Sequence, residues 1–530
     1  MLPRHQVSTP SHRRSGGRSG EPALNRDGSG FRYWMECVLE EAKRAEHSFA
    51  ADPVHDVRVA LRRCRSMADG FRGLDPDPAW REMKRAGGRI FRSLGDLRDV
   101  QVMREWVAKL APPRDPQQAD PLQGELDQVL AAREEQLKRE AQISLARLDA
   151  EQWQGWAEHL SRRAARVRIE SPAFQYAALE RWHEAYELHR RALRNRTQVA
   201  WHALRVGIKR FRYTAENFLP QRHERWAKDL KTLQDALGEV HDLDVLWEQI
   251  RALGFPDAET VASWRARILQ ERALRVEAYR RKMVGPKSLW RVWRKDLPEG
   301  PEQHRALLTR AQTLVGFSGA SVVHARHVVR LALQMHDGLQ KAGIFASTGS
   351  DSRNALELAA MLQDVGRFRA GRDHHKHSYR MLGRMAAPLD WPGDNWEMVA
   401  GLTRYHRGAL PEAGHDEYAK VPPGQRKRFL QLTAVLRLAN ALDATHGGTV
   451  RSVKVVRTPE TVTMLATGFM DDPGAAPGIA IAKYLLETAC GLPVVLCAAE
   501  AAKPKVLEMR AARYRPPAGG AIGKRRLALS

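Results

Sequence analysis

A short basic stretch near the N-terminus, HDVRVALRRCR at residues 55–65, carries residue types that bind anions. It holds one histidine, four arginines and one aspartate among small apolar residues. On a helix at about 100° per residue, the histidine and three of the arginines share an arc of about 80°, opposite the apolar residues. These four are His55, Arg58, Arg62 and Arg65. Because like charges at helical spacing destabilise a helix unless an anion relieves them, the stretch predicts an anion-binding surface.

The same pattern occurs a second time. HALRVGIKRFRYTAENF at residues 202–218 aligns without gaps with HDVRVALRRCRSMADGF at residues 55–71. A second motif follows each copy, LGDLRDVQV at 94–102 and LGEVHDLDV at 237–245. Two motifs repeated in the same order predict two copies of one helical unit, related by a pseudo-twofold axis.

The composition indicates a polyanionic partner. The 530 residues include 86 Lys and Arg against 62 Asp and Glu, a formal charge of +24 and a pI near 10.2. Such an excess favours nucleic acid, an anionic membrane or inorganic polyphosphate as the partner. The four cysteines have no CxxC spacing, which argues against a zinc ribbon or a disulfide framework and fits a reducing cytosol. No apolar run reaches membrane-spanning length, so we expect a cytoplasmic protein that does not bind membranes.

Long amphipathic runs with few glycines predict a mainly all-α protein. Near the C-terminus, VRSVKVVRTPETVTMLATG at 450–468 predicts two strands, followed by a helix and the short strand LPVVLC, which together form a small α/β element. The predicted divisions are a disordered basic tail at 1–30, a helical region at 31–296 with repeats at about 31–150 and 151–296, a linker at 297–303, a second helical region at 304–508 and a basic tail at 509–530. The composition of the first tail also allows an organelle transit peptide.

The duplicated pattern H-x-x-R-[VI]-x-x-[KR]-[KR]-x-R, followed each time by L-G-x-x-x-D-x-x-V, resembles the CHAD domain (conserved histidine α-helical domain). The resemblance covers roughly residues 31–295. It implies two pseudo-symmetric helical bundles that bind inorganic polyphosphate through a basic pore or groove between them. The residues it implies as ligand contacts are His55, Arg58, Arg62, Arg63, Arg65, His202, Arg205, Lys209, Arg210 and Arg212. If His55 and His202 gain a proton below about pH 6.5, binding should tighten there.

Two further sets of residues adjoin these motifs. In WREMKRAGGRIFRSLG, a basic arc opposite apolar residues could widen the binding wall. The arc consists of Arg81, Lys84, Arg85, Arg89 and Arg92, of which Lys84, Arg85 and Arg89 are the candidate ligand contacts. For Asp99 and Asp242, in the second motif, we expect a role in capping or orienting basic side chains rather than in catalysis.

The C-terminal region carries histidines and aspartates in a recognisable order. HARHVVRLALQMHDGL (324–339), LELAAMLQDVGRF (356–368) and LTAVLRLANALDATH (432–446) follow the layout of an HD-type phosphohydrolase, in which such side chains hold divalent metal ions. With HHKHS (374–378) and RYHRGALP (404–411), they resemble the HD-like C-terminal domain of exopolyphosphatases and guanosine-pentaphosphate phosphatases. The resemblance covers about 304–500.

One departure from the HD pattern bears on catalysis. The dipeptide is Gln363-Asp364, and an amide is a poor ligand for a transition metal. The remaining set, which we interpret as vestigial, is His324, Asp364 and Asp443, with His375, His377 or His406 as helpers. No glycine-rich phosphate loop of the family's separate phosphatase domain is evident. We therefore assign no catalytic residue and expect no cofactor, with a divalent metal as the alternative.

The sequence thus predicts a polyphosphate-binding protein, either free in the cytoplasm or at polyphosphate granules. The alternative is a metal-dependent HD-type phosphohydrolase acting on polyphosphate or a phosphorylated nucleotide. No specific nucleic-acid partner is expected, because aromatic residues are not interleaved with the basic rows. The sequence is compatible with a monomer and with a homo-oligomer.

Overall fold

The structure of the protein is a computed structural model that describes residues 30–47, 49, 51–111, 120–346, 350–369, 371–470 and 474–499. Over these residues the chain forms eighteen α-helices and a three-stranded sheet near the C-terminal end. The predicted fold class, mainly all-α with a small terminal α/β element, is confirmed. The predicted tail at 509–530, and all but the last residue of the tail at 1–30, lie outside the described residues.

The N-terminal region contains two sets of five helices. Within each set the first helix packs against the second, the second against the third and the third against the fourth. The first set is α1 Phe31–His47, α2 Ala51–Phe71, α3 Ala79–Leu110, α4 Pro121–Ala146 and α5 Ala150–Ala164. The second set is α6 Pro172–Asn195, α7 Gln198–Phe218, α8 Pro220–Leu253, α9 Ala258–Met283 and α10 Leu289–Lys295. The sequence repeat is therefore a repeat of structure.

The division between the two sets lies later than the predicted residue 150. Helix α5 packs against α1 and α3, so it belongs to the first set. Its fully buried Trp153 donates a hydrogen bond from Nε1 to the backbone oxygen of Met35, 3.0 Å away. The boundary between the repeats falls between Ala164 and Pro172, because burial of this indole ties α5 to α1.

The two sets meet where α2 packs against α7 and α3 packs against α8. At the end of the first contact, Phe71 and Phe218 pack edge to face. Gly70 allows this approach, since a Cβ atom there would lie 2.2 Å from the Phe218 ring. The motif-bearing helices are thus held side by side along the contact between the repeats.

The C-terminal region is a second packed unit with its own core. Its helices are α11 Pro301–Phe317, α12 Val322–Lys341, α13 Ser350–Leu362, α14 His374–Leu382, α15 Gly393–Tyr405, α16 Asp416–Ala419, α17 Arg426–Ala441 and α18 Ala476–Cys490. Short 3-10 turns lie at Val365–Phe368 and Pro423–Gln425. The strands are β1 Ser452–Arg457, β2 Val462–Thr467 and β3 Val494–Ala499, in the order β1-β2-β3, with the first pair antiparallel and the second parallel.

The two regions are joined by packing as well as by the chain. Helix α11, which begins within the predicted linker at 297–303, lies against α6. There Arg310 forms an ion pair with Glu180, and the Tyr176 hydroxyl accepts a hydrogen bond from the Leu389 backbone N–H at 3.0 Å. Among the described residues, no helix is both long and apolar enough to cross a membrane.

Candidate functional site

Six cationic side chains project from the paired helices α2 and α7, and we call them the basic surface. Among the described residues, no carboxylate oxygen lies within 4.0 Å of a side-chain nitrogen of any of the six, so none of them forms an ion pair. They are Arg58, Arg62 and Arg65 on α2 and Arg205, Lys209 and Arg212 on α7. Six cations without a direct counterion form a surface that an anion would stabilise.

The apolar sides of both helices fix the basic surface in place. Val57, Leu61 and Cys64 on α2 are fully buried, and so are Leu204 and Ile208 on α7. With one side of each helix locked in the core, the opposite side must present its arginines and its lysine. The helix geometry predicted from the spacing of these residues is therefore the geometry of the structure.

Partial burial makes the basic surface electrostatically costly. Burial lowers the pKa of the Arg58 guanidinium, and nearby Arg62 lowers it further. Burial together with the charge of Arg205 lowers the pKa of Lys209 to about 8. The Nε atoms of Arg65 and Arg205 are buried and have no hydrogen-bond partner among the described atoms. An anion would supply the missing charge and the missing acceptors.

Two arginines of the predicted ligand set instead have carboxylate partners. Arg63 donates from Nη2 to Glu216 at 2.5 Å, a bond that links α2 to α7. Arg210 donates from Nη1 to Glu184 on α6 at 2.7 Å. These pairs hold helices together, so Arg63 and Arg210 are less available to a ligand than the basic surface is.

The two motif histidines differ in their surroundings. His55 is exposed on α2. His202 lies with its Nδ1 3.2 Å from the Nδ1 of His241, and burial and the charge of Arg205 lower the pKa values of both, that of His241 to about 4. In the protein without ligand, His202 therefore gains its proton at a lower pH than the value near 6.5 expected from the sequence.

The motif aspartates lie among the cations. Burial raises the pKa of the Asp99 carboxyl, although the positive charges of Arg58 and Arg205 act to lower it. It raises the pKa of Asp242 to about 6, with a further contribution from the charge of Asp99. The two equivalent carboxylates are thus electrostatic neighbours of each other and of both halves of the basic surface.

The proposed extension on α3 does not form a continuous wall. Lys84 forms an ion pair with Asp69, and Arg85 is exposed. Arg89 lines a cleft of about 400 Å³ together with Arg147. Arg92, another member of the predicted basic arc, adds positive charge beside Arg65.

A second constellation lies inside the C-terminal region, where Asp364, His374 and His406 converge. All three are buried, and one ligand atom from each lies within 4.8 Å of the others. The His374 Nε2 atom is 2.8 Å from Asp364 Oδ1 and 3.3 Å from the His406 Nε2 atom. We call these three residues the Asp–His cluster. Among the described residues, it is the set that could hold a metal ion.

The electrostatics of the Asp–His cluster favour a neutral imidazole beside an ionised carboxylate. Burial acts to raise the pKa of the Asp364 carboxyl, but the neighbouring His374 and the positive charge of Arg367 hold it below its usual value. Burial lowers the pKa of His406 to about 3. These are the protonation states in which both groups act as ligands.

The three residues of the predicted set, His324, Asp364 and Asp443, also lie close together. His324 is hydrogen bonded to Asp443, and the Asp364 carboxylate lies beside this pair. His324 Nδ1 lies 2.7 Å from Asp443 Oδ2, and its Nε2 lies 3.8 Å from Asp364 Oδ2. Gln363, fully buried, places its Nε2 3.4 Å from His324 Nε2 and donates to Asn440 at 2.9 Å. The glutamine side chain thus occupies the space beside His324.

Of the predicted helpers, His406 is in the Asp–His cluster and the other two are not. His375 is buried nearby, with its pKa lowered to about 4 by burial and by the charge of Arg404. Arg404 itself forms an ion pair with Glu417 at 3.0 Å. His374, which the sequence argument passed over, was hard to choose because HHKHS offers three histidines and the start of a short helix fixes no face.

Comparison with protein families agrees with both halves of this description. Residues 35–251 match the family model of the CHAD domain, and residues 317–466 match that of Ppx/GppA phosphatase, domain III. The family models thus find a CHAD domain and a Ppx/GppA domain III in the same chain, the combination that its motifs predicted. No curated protein matches the chain. Both families are compatible with a function related to polyphosphate.

Proposed function

We propose that this protein binds inorganic polyphosphate on the basic surface between α2 and α7. The observation that carries the proposal is the absence, among the described residues, of a carboxylate ion-pair partner for any of its six cations. Arginines used only for stability would resemble Arg63 and Arg210, each of which has such a partner. A linear polyanion fits a row of cations because each cation releases a counterion that was bound to the polyanion.

The burial of the basic surface favours polyphosphate over a nucleic acid. The ligand must enter a surface where Arg58 and Lys209 are already partly desolvated, and polyphosphate carries charge without bulky bases. Two aromatic rings pack against arginines of the basic surface. The Phe91 ring lies 4.6 Å from the Arg65 guanidinium carbon, and the Tyr213 ring lies 5.6 Å from that of Arg62. These rings position arginines rather than forming a platform for bases.

Charge reversal at equivalent positions of the two repeats tests the proposal. The variant Arg58→Glu with Arg205→Glu should weaken binding of a defined-length polyphosphate by about 100-fold or more at physiological salt. The matched control is Arg139→Glu with Arg281→Glu, which changes net charge equally at exposed positions of α4 and α9. Equal loss in both variants, or no loss in the first, would mean that net charge rather than this surface attracts the ligand.

The alternative function, a metal-dependent phosphohydrolase, rests on the Asp–His cluster. It requires a bound metal ion and release of phosphate from the bound polymer. Phosphate release, measured on the same samples with divalent metal added, separates an enzyme from a binding protein. We propose binding as the primary function because the basic surface does not depend on a metal ion.

A further inference from the structure

The orientation of two buried imidazoles in the Asp–His cluster leads to a metal site. His374 Nδ1 lies 2.8 Å from the backbone oxygen of Gly371, and His406 Nδ1 lies 2.8 Å from that of Thr403. A carbonyl oxygen only accepts, so each Nδ1 carries the proton. With Nδ1 protonated, an imidazole that carries no second proton presents a lone pair at Nε2, which is the arrangement of metal-ligating histidines held by backbone carbonyls.

Three potential ligand atoms lie close together in a buried space. The two Nε2 atoms are 3.3 Å apart, and they lie 2.8 Å and 3.7 Å from Asp364 Oδ1. Without a cation between them, lone pairs and a carboxylate this close repel. Two occupants can resolve the repulsion: a proton on one imidazole or a metal ion shared by all three.

The backbone around the cluster is built to hold this geometry. The Ser378 hydroxyl donates to the Gln363 carbonyl at 2.7 Å and accepts from the Gly366 N–H at 2.9 Å, which ties α14 to the turn after Asp364. A Cβ atom on Gly366 would lie 2.3 Å from the His374 backbone oxygen, so only glycine permits the contact. Ligands fixed on separate elements in this way are preorganised.

We propose that Asp364, His374 and His406 bind one divalent first-row transition metal ion. Two imidazole nitrogens and a carboxylate oxygen suit Zn²⁺ or Fe²⁺, whereas Mg²⁺ and Ca²⁺ prefer oxygen ligands throughout. Three protein ligands leave a position for an exchangeable ligand. This set differs from the one expected from the HD layout, because His324 is hydrogen bonded to Asp443 and Gln363 fills the space beside it.

Metal content of the full-length chain tests the proposal directly. The protein is prepared without a histidine tag, stripped with chelator and titrated with Co²⁺ and then Zn²⁺, which report by visible absorption and by elemental analysis. We expect about one tightly bound equivalent per chain. Asp364→Asn and His406→Ala should each abolish it, whereas His377→Ala, a histidine on the same helix as His374 but outside the cluster, should retain it.

Polyphosphate binding and the unfolding midpoint, measured on the same variants, show whether each chain is folded. Loss of the metal equivalent from folded cluster variants supports the site. A folded wild-type chain that takes up no stoichiometric metal would overturn it and leave a protonated imidazole paired with Asp364. Metal uptake unchanged in folded Asp364→Asn and His406→Ala would also overturn it. Neither outcome bears on polyphosphate binding by the basic surface.

Discussion

Phe71 and Phe218, which occupy the same position in the two repeats, pack edge to face with ring centroids 5.4 Å apart. Both rings are fully buried, and they stand at the ends of the helices that carry the basic surface. The contact therefore places the two rows of cations relative to each other. Since it joins equivalent residues, it is a contact that the predicted pseudo-twofold relation between the repeats would place on its axis.

A larger residue at this contact should separate the two rows. In Gly70→Ala the new Cβ atom would lie 2.2 Å from the Phe218 ring, so α2 and α7 must move apart. Overpacking of this kind costs about 1–3 kcal/mol, partly offset by the better helix propensity of alanine. We expect a lower denaturant midpoint and weaker polyphosphate binding. Gly95→Ala, a helical position with no atom within 4 Å, is the control and should be neutral or stabilising.

A buried ion pair fixes the turn between α2 and α3. The Asp75 carboxylate, almost fully buried, accepts two hydrogen bonds of 2.6 Å from Arg163 and one of 2.8 Å from the Trp80 indole. Arg163→Ala should lower the free energy of unfolding by about 3–5 kcal/mol, because it strands a buried carboxylate. Arg162→Ala, at the exposed neighbouring position, should change it by less than about 0.5 kcal/mol. Similar effects in both variants would contradict this assignment.

Affinity for long-chain polyphosphate should fall as pH rises from 5 to 9. The raised pKa of Asp242, about 6, means that this carboxyl loses its negative charge as pH falls below 6, which favours an anion nearby. The lowered pKa of Lys209, about 8, means that its positive charge is lost above that pH. Asp242→Asn should remove the gain in affinity at low pH, and Lys209→Arg should remove the loss at high pH. Calorimetry across this range would contradict the account if both variants kept the wild-type profile.

Salt dependence should report the number of phosphates neutralised. Each phosphate contact contributes about 0.7–0.9 to the slope of log affinity against log salt concentration. Arg62→Ala with Lys209→Ala removes two equivalent cations and should reduce the slope by about 1.5. A reduced affinity with an unchanged slope would mean that these residues support the fold rather than the ligand.

The basic surface was largely predictable from the sequence because helical periodicity alone places its members on one side. Arg58, Arg62 and Arg65 needed no knowledge of the tertiary fold. What could not be predicted was which cations have partners: Arg63 is paired by a glutamate 153 positions away, in the other repeat. Pairing of this kind depends on how helices cross, which the local pattern does not specify.

The Asp–His cluster illustrates the same limit. Asp364 was identified from its place after an apolar helix, but His374 was not distinguished from its neighbours in HHKHS. The choice is made by the Gly366 contact that seats α14 on the preceding turn, a tertiary feature. Glutamine at position 363 indicated a departure from the HD pattern, while the convergence of Asp364, His374 and His406 required the structure.

The most direct test of the central claim is a calorimetric titration of full-length protein at physiological ionic strength. Polyphosphate of defined length and a single-stranded DNA of matched charge are each titrated into the same preparation. The account predicts tight, salt-sensitive binding of polyphosphate and markedly weaker binding of the DNA. Equal affinities would show a general polyanion-binding protein, and no binding of polyphosphate would contradict the proposed function outright.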